Sequence, residues 1–373
     1  MSQQDIQSQT IRETLPPDEI IWQTSHEDML RESVLFRKRW FYLLQLSHRE
    51  LDRVVNDLLE LMDPNNDIKI VSIIGMTGIG KTTLANELSA LLDSQYGHSA
   101  TPDQCPVLHV STPANGERSL SWRMLYRRIL EAGAEPGIDH KRPSKVTDGE
   151  LHGVRGDRQS VPCLREHVEK MLRHRKVRAL IVDEALHLLR FSDYSAIMDT
   201  LKSLADIGDT KLVLIGTHQI ADLMIEYGQV VRRSEIVHYR RYQVNLKEGK
   251  PMTADEIEYR EQLLKFQEQW PCRERPNLVA IWRPMMMASL GSIGLTKSIL
   301  LRLLTQQMAT PGETLMAEHF SKAIKGEAAL RILEKEATEG EAKLIGACYG
   351  DGHLTKENLV AVMQHRDVEV AHA

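Results

Sequence analysis

The 373-residue sequence predicts an α/β fold: a parallel sheet, with a helical extension before it and a small helical domain after it. Three observations predict this. At residues 70–88, "IVSIIGMTGIGKTTLANEL", a β-branched segment enters a glycine-rich turn and then a run of good helix formers. Four further apolar runs, "CPVLHVST", "VRALIVDE", "KLVLIGT" and "SEIVHYRRYQV", alternate with helical stretches over residues 66–246. After Leu246 apolar positions recur at helical spacing only. Near-continuous apolar runs separated by helices mark strands buried on both faces, which is the pattern of a parallel sheet.

Residues 1–27 are polar, contain the pair Pro16-Pro17 and read as a flexible arm. Residues 28–65 form the helical extension. Within it "FRKRWFY" (36–42) is basic and aromatic, and two readings stay open: a phosphate-touching cluster, or a packed helix with solvated charges. "SHRELDRVVNDLLELMD" then opens on a capping pair, Ser47 and Glu50, and sets Leu51, Val54, Val55, Leu58, Leu59 and Met62 on one helical stripe. Between Gly133 and Val161 glycine, proline and charge accumulate, which predicts a long mobile loop or insertion. Residues 247–328 hold four helical segments, with capping boxes expected at Thr253 to Glu256 and at Thr310 to Glu313. Residues 329–373 read as a charged helix and a polar tail.

The turn at 75–82 has the spacing G-x-x-x-x-G-K-[ST], and each residue type has a physical reason. Gly75, Gly78 and Gly80 let the backbone of Met76, Thr77 and Ile79 turn its N–H groups inward, with no Cβ in the way at the glycines. Lys81 reaches the β- and γ-phosphates as a point charge, Thr82 offers its hydroxyl to Mg²⁺, and Thr83 continues the helix whose positive dipole end faces the anion. The turn is a cradle for a nucleotide, with ATP and Mg²⁺ the expected pair.

Hydrolysis needs more than a cradle. "LIVDEALHLL" ends an apolar strand in Asp183, a candidate for the Mg²⁺ shell beside Thr82, and Glu184, a candidate base for the attacking water. "KLVLIGTH" ends in Thr217, and two readings stay open for this polar tip: a sensor of the γ-phosphate through a water, or a simple cap of the strand end. Arg232 and Arg233 precede the last strand. In a ring or helical assembly either could reach a neighbouring subunit's γ-phosphate, and the sequence does not choose between them.

Composition excludes several classes. The net charge of −5 excludes a polycation, so contact with nucleic acid has to come from a local surface. Four scattered cysteines, without a C-x-x-C pair or zinc-spaced histidines, read as reduced side chains. The N-terminus is unlike a signal peptide and no apolar run nears bilayer length, so a cytoplasmic protein without membrane contact is expected.

Together "GMTGIGKT", "LIVDEALHL", "VLIGTH", "RRSEIVHYRRY" and a helical lid with "GSIGLTKSILLRLL" resemble the AAA+ ATPases, over about residues 28–328. More narrowly, with "STPANGERSLSWRMLYRRILEAG" after the second strand, they resemble transposition regulators of the TnsC/TniB type, relatives of MuB and of IstB-like helper ATPases. That resemblance implies an AAA+ core at 66–246, a helical lid at 247–328 and a partner-docking tail at 329–373. It also implies a ring or helical filament of identical subunits on double-stranded DNA, sequence-neutral and ATP-dependent. Such an assembly links a target-selection protein of the TniQ/TnsD type to a DDE transposase, and hydrolysis disassembles it. Lys297 stands where the lid of many AAA+ proteins carries a sensor arginine, and lysine lacks the bidentate fork.

Residues 118–178 hold 15 Lys or Arg against 8 Asp or Glu in an otherwise acidic chain. Arg118, Ser121, Arg123 and Arg127, with Arg128, lie about a helix start, and two readings stay open: a grip on DNA phosphates, or a charged solvated face. Two rival readings remain: a helicase-loading or remodelling ATPase, and a nucleotide-switched signalling ATPase.

Overall fold

Every position of the segment Ile70–Ile74 is buried, and a strand can hide both its faces only inside a covered sheet. In the computed structural model this segment is β1. The structure describes residues 15–98, 100–112, 122–140, 144–147, 150–153, 160–185, 194–207, 210–221, 233–245 and 251–349. The other strands are β2 (Val107–Ser111), β3 (Ser144–Thr147), β4 (Glu150–Gly153), β5 (Ala179–Asp183), β6 (Lys211–Gly216) and β7 (Ser234–His238). Five of them form one parallel sheet in the order β2-β5-β6-β1-β7, with Ile70 opposite both Leu212 and Ser234. The α/β class and the parallel sheet are as expected, and all five expected apolar runs are its strands.

The strand order has a chemical consequence. Because β6 inserts beside β1, the chain leaves β1 toward one side of the sheet and returns on the other. At such a switch point the loops at the strands' carboxyl ends part and leave a crevice. The cradle (75–82) and Thr217 follow strands that end there, and Asp183 closes a third, with Glu184 next.

The chain packs as two compact units. One comprises Glu50–Arg240 with Ile332–Ala373 and contains the sheet. Its described helices are α4 (Arg49–Leu61), α5 (Lys81–Gly97), α6 (Trp122–Ala132), α7 (Val161–His174), α8 (Tyr194–Ala205) and the helix Glu327–Tyr349. Leu125, Tyr126, Ile129 and Leu130 of α6 and Leu164, Val168, Met171 and Leu172 of α7 recur at helical spacing and close over the sheet residues Leu108, Leu180 and Leu214. The predicted stripe of α4 is buried at Leu51, Val54, Val55, Leu58 and Met62. Glu50, almost fully buried, meets Arg240 at 2.7 Å, and Arg53 donates to the His238 carbonyl at 2.6 Å, which ties α4 to the end of β7.

The other unit joins Met1–Arg49 to Arg241–Arg331. It contains α1 (Asp18–Gln23), α2 (His26–Met29), α3 (Val34–Leu43), α9 (Ala254–Glu268), α10 (Trp282–Ala288), α11 (Ile293–Gln307) and α12 (Ala317–Ala323). The helix Glu327–Tyr349, which passes from this unit to the other, is α13. Phe41 meets Trp270 edge-on at 5.2 Å, an aromatic pairing worth about 0.5–1.5 kcal/mol beyond its buried area. The Tyr259 hydroxyl is satisfied by Ser289 at 2.8 Å and Thr296 at 2.6 Å. Thr253 caps α9 in the expected box with Glu256.

Three expectations change, and one open alternative closes. Residues 1–27 were expected to form a flexible arm, yet from Leu15 the chain is packed, with Ile21 and Met29 fully buried against the lid helices. "FRKRWFY" is a packed helix: Arg37 donates to the Pro271 carbonyl at 2.9 Å and pairs with Glu313, while Arg39 pairs with Asp18. That pairing draws Glu313 away from the expected second capping box, and Thr310 precedes only a single 3₁₀ turn, Pro311–Glu313. The stretch Gly133–Val161, expected as one loop, contains the antiparallel ribbon β3–β4, with Thr147 opposite Glu150.

Among the described residues no single helix is long and apolar enough to cross a membrane.

Candidate nucleotide site

The cradle is shaped by close approach as well as by its own turns. A Cβ on Gly75 would stand 2.7 Å from the carbonyl oxygen of Tyr239, directly after β7, so no side chain fits there. Gly80 adopts φ 114° at the N-terminal end of α5, a left-handed backbone that L side chains rarely take. Ile79 and Met76 are buried under the loop, whereas Thr77 and Gly78 face outward at its apex. The loop is therefore held from below and open above.

Lys81 lies within this turn. Its ammonium donates to the carbonyls of Gly75 at 3.0 Å and Met76 at 2.8 Å. Burial lowers its pKa to about 8, against the opposing pull of the Asp183 and Glu336 carboxylates. Among the described residues no carboxylate oxygen contacts the ammonium directly, which leaves it able to exchange loop carbonyls for phosphate oxygens.

Asp183 ends β5, buried, and joins the two halves of the site. Its Oδ2 accepts from the Thr82 hydroxyl at 3.0 Å and its Oδ1 from the Glu184 backbone N–H at 2.7 Å. Glu184 follows in the left-handed region, φ 55°, with its side chain exposed. A non-glycine residue there costs of order 1 kcal/mol, and such strain persists where the surroundings impose it. The bond from its N–H to Asp183 is one such constraint.

Thr217 stands at the end of β6 with its hydroxyl buried and without a hydrogen-bond partner among the described residues. An orphaned buried hydroxyl has a cost that an incoming acceptor removes. Together these features fit a nucleotide with its divalent ion: a cradle a Cβ would fill, a hard oxygen pair at Thr82 and Asp183, and an unsatisfied donor at Thr217. Thr83 continues α5 beyond the cradle.

Lys297 donates to the carbonyls of Tyr42 and Leu44 and lies 5.9 Å from the Tyr42 ring centroid, so its ammonium caps the C-terminal end of α3. The lysine expected to touch nucleotide is thus committed inside its own unit. Arg233 pairs with Asp206 at 3.4 Å and is half-exposed; Arg232 lies outside the described residues. Arg118 and Ser121 also lie outside them. Arg123 is partly exposed in the first turn of α6, Arg127 pairs with Asp139 at 2.7 Å, and Arg128 donates to the Ser111 carbonyl at 2.6 Å.

Three residues at this site have no local signal in the sequence. Tyr239 lies 164 positions beyond Gly75, His218 directly follows Thr217, and Glu336 comes from α13. Thr77 Oγ1 donates to Glu336 Oε1 at 2.8 Å.

The family comparison agrees with this geometry. Residues 65–224 match the AAA domain family. That segment is an AAA-type domain. The matched segment runs from just before β1 to just after β6 and so includes the cradle, Asp183, Glu184 and Thr217. No curated protein matches the sequence. Among solved structures the chain is similar to the ORC1 protein of Aeropyrum pernix in complex with DNA, at 17% identity and a TM-score of 0.49, over 89% of this chain and 87% of that one. It is similar to the ORC2 protein of the same organism, in ADPNP–ADP complexes, at 15% identity and 0.48, over 74% of this chain and 66% of that one. It is also similar to a Walker-type ATPase of Pyrococcus abyssi, at 13% identity and 0.47, over 82% and 79%.

Proposed function

We propose that this AAA-type chain is an ATP-dependent regulator of transposition that assembles on double-stranded DNA and hydrolyses ATP to release it. The observation that carries the ATPase part is the hydrogen bond from Thr82 to Asp183, which joins the cradle to the end of β5, with Glu184 directly after it. In this reading the cradle and Lys81 bind the triphosphate, Thr82 and Asp183 hold Mg²⁺, and Thr217 donates to the γ-phosphate or to a water on it. The ion, when bound, neutralises charge developing on the phosphate oxygens. Glu184 orients and deprotonates the attacking water, and its exposed side chain leaves room for that water. Arg232 or Arg233 serves the site of the next subunit; for Arg233 this means leaving Asp206, a half-exposed pairing worth well under 1 kcal/mol.

The DNA and transposition parts rest on the basic segment 118–178 and on the motif order that resembles TnsC/TniB regulators. Arg118, Ser121 and Arg123 are the contacts of this reading. Arg127 and Arg128 join them by exchanging Asp139 and the Ser111 carbonyl for phosphate oxygens. The partners are double-stranded DNA, further copies of the chain, a transposase and a target-selection protein of the TniQ/TnsD type.

Imaging of the purified protein on 60-bp DNA, with a slowly hydrolysed ATP analogue and separately with ADP, tests this. Rings or filaments with the analogue alone are expected. Monomers in both, with nucleotide bound, would move the reading to a loader or signalling ATPase.

A further inference from the structure

Helix α13 is built to sit on the mouth of the nucleotide site. Along residues 327–344 of α13, Leu330, Leu333, Glu336, Ala337, Gly340, Glu341 and Leu344 share one stripe at helical spacing and are the less exposed positions. Ala337 is fully buried, and Leu344 belongs to the same apolar core as the sheet. Two contacts fix where the stripe lies. Glu336 accepts the Thr77 hydroxyl at the apex of the cradle, and its charge acts on the Lys81 ammonium. One turn further on, Gly340 lies so close to His218 that a Cβ would come within 2.3 Å of the imidazole carbon. Glu341 acts electrostatically on His238 at the end of β7. The helix thus touches or acts on residues following β1 and β6 and on the end of β7, the edge of the sheet where Thr217 waits for a partner.

Two features mark this seat as specific. Glycine is the poorest helix former after proline, yet one occupies the middle of this 23-residue helix at the point of closest approach. A carboxylate also stands beside the lysine expected to meet phosphate, where it opposes an arriving polyanion.

We infer that α13 is an autoinhibitory contact: seated through Glu336 on Thr77 and Gly340 on His218, it hinders the phosphate end of the site, and binding of a nucleoside triphosphate dislodges it. This rests on the nucleotide reading of the cradle. Dislodging α13 frees the stripe Leu333, Ala337 and Leu344 and couples nucleotide state to the position of the C-terminal segment.

The test follows hydrogen exchange across residues 327–349 of the full-length protein, alone, with ADP and with ATPγS, beside the affinity for a fluorescent ATP analogue. Exchange about tenfold faster with ATPγS is expected, with a smaller change for ADP. Glu336→Gln, which removes the charge, should bind the analogue about tenfold more tightly than the wild type. Gly340→Ala, which unseats the helix without altering the cradle, should tighten binding in the same direction. Nucleotide binding to the wild type with exchange in α13 unchanged or slowed, or equal affinity in all three proteins, overturns the autoinhibitory contact and leaves the nucleotide site standing. Failure of wild type and both variants to bind any nucleotide overturns the site itself and the inference with it.

Discussion

Thr82 donates its hydroxyl to Oδ2 of Asp183 at 3.0 Å, a bond between residues 101 positions apart that sets the two expected Mg²⁺ ligands side by side. Asp183→Asn keeps the shape and loses the charge. It should weaken Mg²⁺-dependent ATP binding at least about tenfold while leaving metal-free nucleotide binding nearly unchanged, since a divalent ion needs the anionic oxygen. Binding isotherms with Mg²⁺ and with EDTA measure both; equal Mg²⁺ dependence in the two proteins would remove Asp183 from the metal shell.

Glu184 combines a catalytic carboxylate with a strained backbone. Glu184→Gln should bind ATP and lose turnover by about 10²-fold or more. Glu184→Gly should lose the same turnover yet raise the melting temperature, because glycine relieves about 1 kcal/mol at φ 55°. Steady turnover in either variant would show that another group orients the water.

Lys81, lowered by burial to about 8, makes nucleotide affinity pH-dependent. The phosphates favour the charged lysine and raise its pKa in the complex. Affinity is therefore complete below about pH 7 and falls as pH rises through 8, by at most tenfold per unit, with proton uptake on binding. Calorimetry at pH 8 in two buffers of different ionisation enthalpy reads that uptake directly. A flat affinity from pH 7 to 9 would mean that Lys81 keeps one protonation state throughout.

Lys297 is expected to serve stability. Lys297→Ala leaves the carbonyls of Tyr42 and Leu44 without their cation and should cost about 1–3 kcal/mol, lowering the melting temperature. ATP affinity should stay within twofold of the wild type. A large loss of affinity with an unchanged melting temperature would restore the sensor role.

Arg118→Glu with Arg123→Glu should weaken DNA binding about tenfold or more at 50 mM salt, and ATP binding should be retained. Each lost phosphate contact also reduces the salt slope by about one. Identical binding at every salt concentration would place the DNA surface elsewhere.

Much of this protein was determined by its sequence alone. The strand at Ile70–Ile74, the glycines, Lys81 and Thr82 follow one another directly, and their chemistry is local, so the cradle was legible residue by residue. The other four strands of the sheet announced themselves as apolar runs, the α4 stripe by its periodicity and the α9 cap by Thr253 and Glu256. Tertiary structure alone decided which distant groups meet. It paired Arg37 with Glu313 and so withdrew both from the roles their neighbourhoods suggested. It spent Lys297 on two carbonyls of α3 and gathered Ile21 into the core of the lid. It also brought Glu336 to Thr77 across 259 positions and set Gly340 against His218. Turns, caps and periodicity act within a few residues of chain. The partner of a long charged side chain depends on the free energy of packing the whole unit, to which a local stretch contributes without specifying it.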